Sequence, residues 1–160
     1  LLGAAVPENW DGVSFAESLR RGEEDGRPFL VLSQGAWSCQ RSVRFRRDES
    51  EYLCMRTYHD GYHGFPDVIL FDLGRDPHER HNLAESQPAL VHHATNMLEQ
   101  WHANMSTSTH DQDPMATVLG EGGPHHSRGR LPAYLERLRQ TGRAQWAEHL
   151  ASKHPVESGE

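Results

Sequence analysis

Residues 70–84 read Leu70-Phe71-Asp72-Leu73-Gly74-Arg75-Asp76-Pro77-His78-Glu79-Arg80-His81-Asn82-Leu83-Ala84. The apolar run from Val68 to Leu73 leads into this stretch as a short strand. Asp72 ends the strand and Asp76-Pro77 turns the chain. Asp76 can cap a helical turn, Pro77 suits its first position, and Glu79 can close a capping box. Leu83 is then placed to plug a sheet. A strand that turns this sharply predicts a following helix laid back across the sheet, which is an α+β layer.

The chain on either side supplies both layers. Downstream, Ser86 and Pro88 open the longest helix. Its Leu90, Val91, Ala94, Met97, Leu98, Trp101 and Met105 recur at helical spacing on one stripe, the pattern of a core face rather than a cofactor box. Upstream, 28–33 is a short apolar run of the kind a buried strand shows. Between Ser38 and Arg46, Val43 and Phe45 share one parity and Arg44 and Arg46 the other, a strand with one wet face. Tyr52 to Tyr58 is rich in strand formers. Ser14 and Glu17 form a capping box ahead of Phe15 and Leu19, and Gly22 stops that helix. Gly22 to Arg27 is a charged turn. The expected fold is a small antiparallel sheet of about four strands packed by one long helix, followed by a long loop and a helical tail. The divisions are 1–105, an extended loop at 106–130, and a tail at 131–155. In the tail Pro132 opens a helix with Leu135 and Leu138 inward, Gly142 interrupts it, and Trp146 and Leu150 mark a second helix ended by Pro155. Val156 to Glu160 reads as a frayed end.

Composition narrows the function. Leu, Ile, Val and Phe make up 30 of 160 residues, mean hydropathy is −0.77, and net charge is −7. No apolar run approaches the roughly 20 residues of a membrane helix. A net negative chain is a poor generic partner for nucleic-acid phosphate. The Arg41, Arg44, Arg46 and Arg47 cluster is followed at once by Asp48-Glu49-Ser50-Glu51, which can pair with it on a solvated strand face. Two cysteines cannot build a disulfide scaffold or a four-thiolate zinc site.

Histidine is the outlier, at 12 residues. His59 and His63 lie four apart, but in the Gly-rich loop Asp60-Gly61-Tyr62-His63-Gly64-Phe65-Pro66 rather than on a helix. His92 and His93 are adjacent and cannot share one helix face. His125 and His126 sit in another Gly-rich segment that ends in Arg128. No Gly-x-Ser-x-Gly elbow and no phosphate-binding loop is present. Neither cysteine has a context that lowers a thiol pKa.

The order of motifs is informative beyond this. Pro7, Trp10-Asp11-Gly12-x-Ser14, the Val43 strand, Leu53-Cys54-Met55-Arg56 and then the Leu70–Ala84 block together resemble the C-terminal part of sulfatases of the alkaline-phosphatase-like superfamily. The family text runs Leu-Tyr-Asp-Leu, two residues, Asp-Pro-x-Glu, two residues, Asn-Leu; Phe71 stands here for Tyr. The resemblance covers about 1–105, and Asp72, Asp76, Pro77, Glu79, Asn82 and Leu83 carry it in a structural role.

The resemblance implies a C-terminal subdomain of a larger α/β enzyme that hydrolyses sulfate esters through formylglycine and calcium. The formylglycine motif, Cys/Ser-x-Pro/Ala-x-Arg, matches neither Cys39-Gln40-Arg41-Ser42-Val43 nor Cys54-Met55-Arg56-Thr57-Tyr58. The family's calcium carboxylates and its catalytic Lys and His lie upstream of the Trp-Asp-Gly region. This chain is therefore expected to hold no catalytic residue, metal or cofactor of its own. Its expected partners are an N-terminal catalytic domain and a small-molecule or carbohydrate sulfate ester, with no nucleic acid and no membrane. Leu1 to Ala5 reads as the end of a helix begun upstream. The protein is expected to be soluble, either cytoplasmic or exported. Candidate residues at the border of the substrate pocket are His59, Tyr62, His63, His125, His126 and Arg128, whose loops combine Gly-permitted backbone shapes with groups that bind an anion or a sugar hydroxyl. The alternatives are a non-enzymatic module with a histidine-based metal site, in which His59 and His126 would be ligands, and a degenerate sulfatase-like interaction protein.

Overall fold

The computed structural model describes residues 12, 14–22, 27–106 and 113–158. The expectations for Leu1–Ala5, Pro7 and Trp10-Asp11, most of the 22–27 turn, and loop residues 107–112 lie outside these.

The elements are α1 (Ala16–Arg21), β1 (Phe29–Gln34), β2 (Cys39–Arg47), β3 (Ser50–His59), β4 (Val68–Asp72), α2 (Pro88–Ser106), α3 (Pro114–Gly120), α4 (Leu131–Gln140), α5 (Ala144–Lys153) and α6 (Pro155–Ser158). The four strands form one antiparallel sheet in the order β1-β2-β3-β4. The architecture is α+β, with α2 laid across one face. Alternation explains the layering. Val31, Val43, Cys54 and Leu70 are in register across the sheet. Together with Phe45 they meet Ala94 and Leu98 of the helical stripe in one core. Arg44 and Arg46 point the other way into solvent, where both approach Glu51.

Several local expectations give way. The run expected as a buried strand is the edge strand β1, and its Leu30 and Leu32 are 42% and 49% exposed. Only the Phe29 and Val31 parity faces the α2 layer. Helix α1 starts at Ala16 without a side-chain cap, Ser14 Oγ accepting the Ala16 N–H at 3.3 Å. Phe15 and Leu19 are both exposed. Arg41 is buried, not on the wet face; its guanidinium forks onto Asp113 (2.9 Å to each oxygen) and lies 5.0 Å from the Trp101 ring. Asp113 also accepts the Met115 N–H and so caps α3, a helix inside the segment expected to be extended. In the end expected to fray, α6 occupies Pro155–Ser158, and residues 159–160 lie outside the described ones.

The Leu70–Ala84 block closes the sheet. Asp72 Oδ1 accepts the N–H groups of Gly74 and Arg75, and Asp76 Oδ2 those of Arg80 and His81. The capping box does not close, because the Asp76 N–H is already given to the Asp72 carbonyl at 2.7 Å. Glu79 instead turns the chain at φ 54° and donates its N–H to the Asp76 carbonyl. The outer edge of β4 is then met by Asn82 and Leu83. The Asn82 side chain accepts from Leu70 N–H at 2.9 Å and donates to the Val68 carbonyl at 3.2 Å, and the Leu83 N–H donates to the Leu70 carbonyl at 2.8 Å. An asparagine side chain thus imitates one residue of a fifth strand.

A second core lies apart from the first. Leu131, Leu135 and Leu138 of α4 pack on Ala147, Leu150 and Ala151 of α5, and Tyr62 from the β3–β4 loop joins them.

Candidate functional site

The sheet register builds the site. Cys39 pairs with His59 whereas Gln40 pairs with Thr57, so β3 carries one extra residue there. A bulge of this kind reverses the facing of the residues beyond it. It sets His59 opposite Cys39, on the side where the tail helices stand. The chain then enters the loop through Asp60. Its carboxylate accepts the N–H groups of Tyr62 and Gly64 at 2.9 Å each, and its carbonyl accepts that of His63. Tyr62 is held at φ 68°, a conformation costly for a bulky residue and kept only when surroundings dictate it.

The tail supplies the other half. His154 ends α5 and presents Nε2 to Asp60 Oδ1 at 2.8 Å. Glu157 of α6 accepts from His59 Nε2 at 3.1 Å and from the Tyr62 hydroxyl, and its Oε1 lies 3.3 Å from His154 Nδ1. Lys153 reaches the Phe65 carbonyl and Asp67 (3.3 Å) and stands 3.7 Å from Asp60. The result is a connected network of Asp60, His154, Glu157, His59 and Tyr62. Its His59, Asp60, His154 and Glu157 line a cleft of about 440 Å³ together with Asp67 and Lys153.

The electrostatics follow from burial and partners. Burial pushes the Asp60 carboxyl up, but the Tyr62 N–H, the His154 ring and Lys153 outweigh it and hold the carboxyl below its ordinary range. The Tyr62 phenol is raised by burial and by the Glu157 carboxylate beside it, so it serves as a donor. Burial raises both thiols, Cys54 to about 11, which leaves neither as a nucleophile at neutral pH.

Three potential metal ligands, His59, His154 and Glu157, come within 4.8 Å of one another. The hydrogen bonding opposes a metal between them. His59 Nδ1 accepts the Gly61 N–H at 3.0 Å, which needs a lone pair there and places the proton of a neutral ring on Nε2. That Nε2–H already serves Glu157. The set is also too rich in nitrogen for calcium, which takes oxygen ligands. Neither buried cysteine fits a formylglycine site.

The six pocket candidates divide. His59 and Tyr62 are buried in the network, and His59 also lines the cleft. His63 and His126 come together with ring centroids 5.8 Å apart, and His126 stands 5.2 Å from Trp37. His125 is exposed. Arg128 donates to the Gly123 carbonyl at 2.8 Å and pairs with Glu121 at 2.7 Å. The group of three potential ligands found among the described residues contains His59 but not His126. Sequence reading missed Asp60, His154 and Glu157. The two tail residues lie more than 90 positions from their partners and carry no local signal.

No family model and no curated protein matches the chain. Among solved structures it is similar to "the putative sulfatase yidJ from Bacteroides fragilis", at 23% identity over 69% of this chain, with a TM-score of 0.47. The chain spans 22% of that protein's chain. Among the described residues no helix is long and apolar enough to cross a membrane.

Proposed function

We propose that this chain is the C-terminal subdomain of a sulfatase whose catalytic domain hydrolyses sulfate esters through formylglycine and calcium. The observation that carries the reading is the Leu70–Ala84 block. Its residues Asp72 and Asp76 hold the turn after β4, and Asn82 and Leu83 cover the outer edge of that strand, which supports a structural role for the block. The sheet face turned away from α2 supports it too. Leu30 and Leu32 are exposed there and Met55, Ile69 and Phe71 half-buried, apolar surface of the kind that a neighbouring domain covers. In this reading the chain completes the fold of the parent and borders its substrate pocket through the loops of His63, His125 and His126.

In this reading the chemistry belongs to the partner domain, because neither cysteine stands in the formylglycine motif and the His59, His154 and Glu157 set is too rich in nitrogen for calcium. The purified 160-residue chain is expected to give no turnover of an aryl sulfate above a metal-free blank. The intact gene product is expected to turn the ester over, with activity lost on calcium chelation. Turnover by the isolated chain would overturn the division of labour. An intact product without formylglycine by mass spectrometry, and without turnover, would point instead to a degenerate interaction protein.

A further inference from the structure

The sheet register sets two arginines opposite each other. Arg41 of β2 is the cross-strand partner of Arg56 of β3. They share the parity of Val43 and Cys54, whose side chains meet α2 in the first core. Like charges directly opposite on one sheet face repel. The fold neutralises only one of the two. Arg41 is buried, and its guanidinium donates to both Asp113 oxygens at 2.9 Å and to Ser33 Oγ at 3.1 Å. Arg56 is half-buried, and among the described residues no carboxylate pairs with it. Its guanidinium carbon instead lies over the Tyr58 ring, 5.5 Å from the centroid. Stacking of this kind uses the flat face of a guanidinium and leaves its in-plane N–H donors free. Both arginines line a cleft of about 310 Å³ where α2, α3 and the sheet meet. Leu98, Met115, Ala116 and Leu119 give it an apolar wall. Asp113 also lines it, but its oxygens are taken by Arg41, by the Met115 N–H and by His102 at 3.2 Å. The other carboxylate of the lining is Glu99, exposed on α2.

We infer that this cleft binds a small organic oxyanion: a sulfate, sulfonate or carboxylate group carried on an apolar body. The unpaired guanidinium selects the oxyanion, which its fork can hold through two parallel N–H···O bonds. A neutral ligand would leave the Arg56 charge desolvated without a partner, and a cation would meet two guanidiniums. The aliphatic wall selects the body, because a bare inorganic ion would leave that surface wet whereas a ring or short chain covers it. Mostly apolar clefts of this size with a few convergent polar groups are the ordinary form of small-ligand sites. The site does not rest on the sulfatase reading. Turnover by the intact product without anion binding here sinks only this inference, and binding here without turnover sinks only that reading.

The test is calorimetric titration of the chain with 4-nitrophenyl sulfate and, separately, benzoate, against benzamide and sodium sulfate. Saturable one-to-one binding of at least one aromatic anion is expected, and the tighter of the two identifies the preferred oxyanion. Benzamide, which lacks the charge, and inorganic sulfate, which lacks the body, are each expected to bind at least about tenfold more weakly. Arg56→Gln is expected to weaken the aromatic anion about tenfold, with the circular dichroism spectrum unchanged. Its urea midpoint should stay the same or rise, because a repelling charge is gone. Glu99→Gln is expected to tighten binding. Absence of saturable binding to both aromatic anions would overturn the inference, as would equal binding of benzamide or of sodium sulfate. So would binding that Arg56→Gln leaves intact, or weaker binding in Glu99→Gln. A lowered urea midpoint in Arg56→Gln would show Arg56 already satisfied within the chain and would overturn it too.

Discussion

Asp60 is a carboxylate with almost no exposed surface that makes four polar contacts from two distant parts of the chain. Removing one partner of such a buried pair leaves the other uncompensated. Asp60→Ala is therefore expected to cost about 3 kcal/mol in urea unfolding, and Asp60→Asn less, because the amide oxygen can still accept. The pH dependence has a definite sign. The folded carboxyl titrates below its unfolded counterpart, so its stabilisation is present above the ordinary carboxylate range, near ~4. It fades as pH falls through the lower folded value. Asp60→Asn should flatten the acid limb of a stability–pH curve without abolishing it, since Asp113 is depressed in the same direction. An unchanged limb would mean that the carboxylate is not held as the structure shows. At this scale the sequence was a partial guide. The glycines at 61 and 64 marked a loop of special backbone shape around Tyr62 and His63. Nothing local could mark His154 and Glu157, which acquire meaning only when the tail folds back.

Gly123 and Asn82 show how elements are joined. Gly123 has φ 89°, and a Cβ there would lie 2.6 Å from the His59 ring. Gly123→Ala is expected to destabilise the tail by about 1–3 kcal/mol through backbone strain alone, read as a lowered urea midpoint. Asn82→Ala should cost a similar amount, about 1–3 kcal/mol, because it strands the Leu70 N–H at the edge of β4. The same urea series measures it, and a neutral result would show that water replaces the amide without loss. The strands and the α2 stripe were legible because alternation and helical spacing are properties of consecutive residues. The bulge in β3 was not, because the extra residue is defined only by its partner strand. Helix α3 was legible and overlooked: Asp113-Pro114 is a cap followed by proline at the first helical position, obscured by the glycines after it.

Two hydrophobic cores share one chain, and the β3–β4 loop and the tail connect them. The sheet and α2 form the first; α4, α5 and Tyr62 form the second. The Asp60–His154 and Glu157 contacts are polar couplings between them. Native-state hydrogen exchange is expected to resolve two protection classes, with β2, β3 and β4 slower than α4 and α5. Asp60→Asn should widen the gap by accelerating the tail alone. A single class would indicate one cooperative unit. The small apolar fraction is concentrated: strand parity and helix stripe place it in two compact clusters. The arginine cluster was ambiguous until the register was known, since parity sends Arg44 outward and Arg41 inward to Trp101 and Asp113.

The sheet is finished unequally at its two margins. At β4, the Asn82 side chain and the Leu83 backbone already occupy the hydrogen-bonding groups of Leu70 and one of Val68. At β1 the outermost strand carries Leu30 and Leu32 in solvent. Among the described residues, the margin left for a further strand is therefore that of β1, which gives the sheet a polarity of growth: lengthening, in a larger assembly or in an unwanted aggregate, is expected to begin beside residues 29–34.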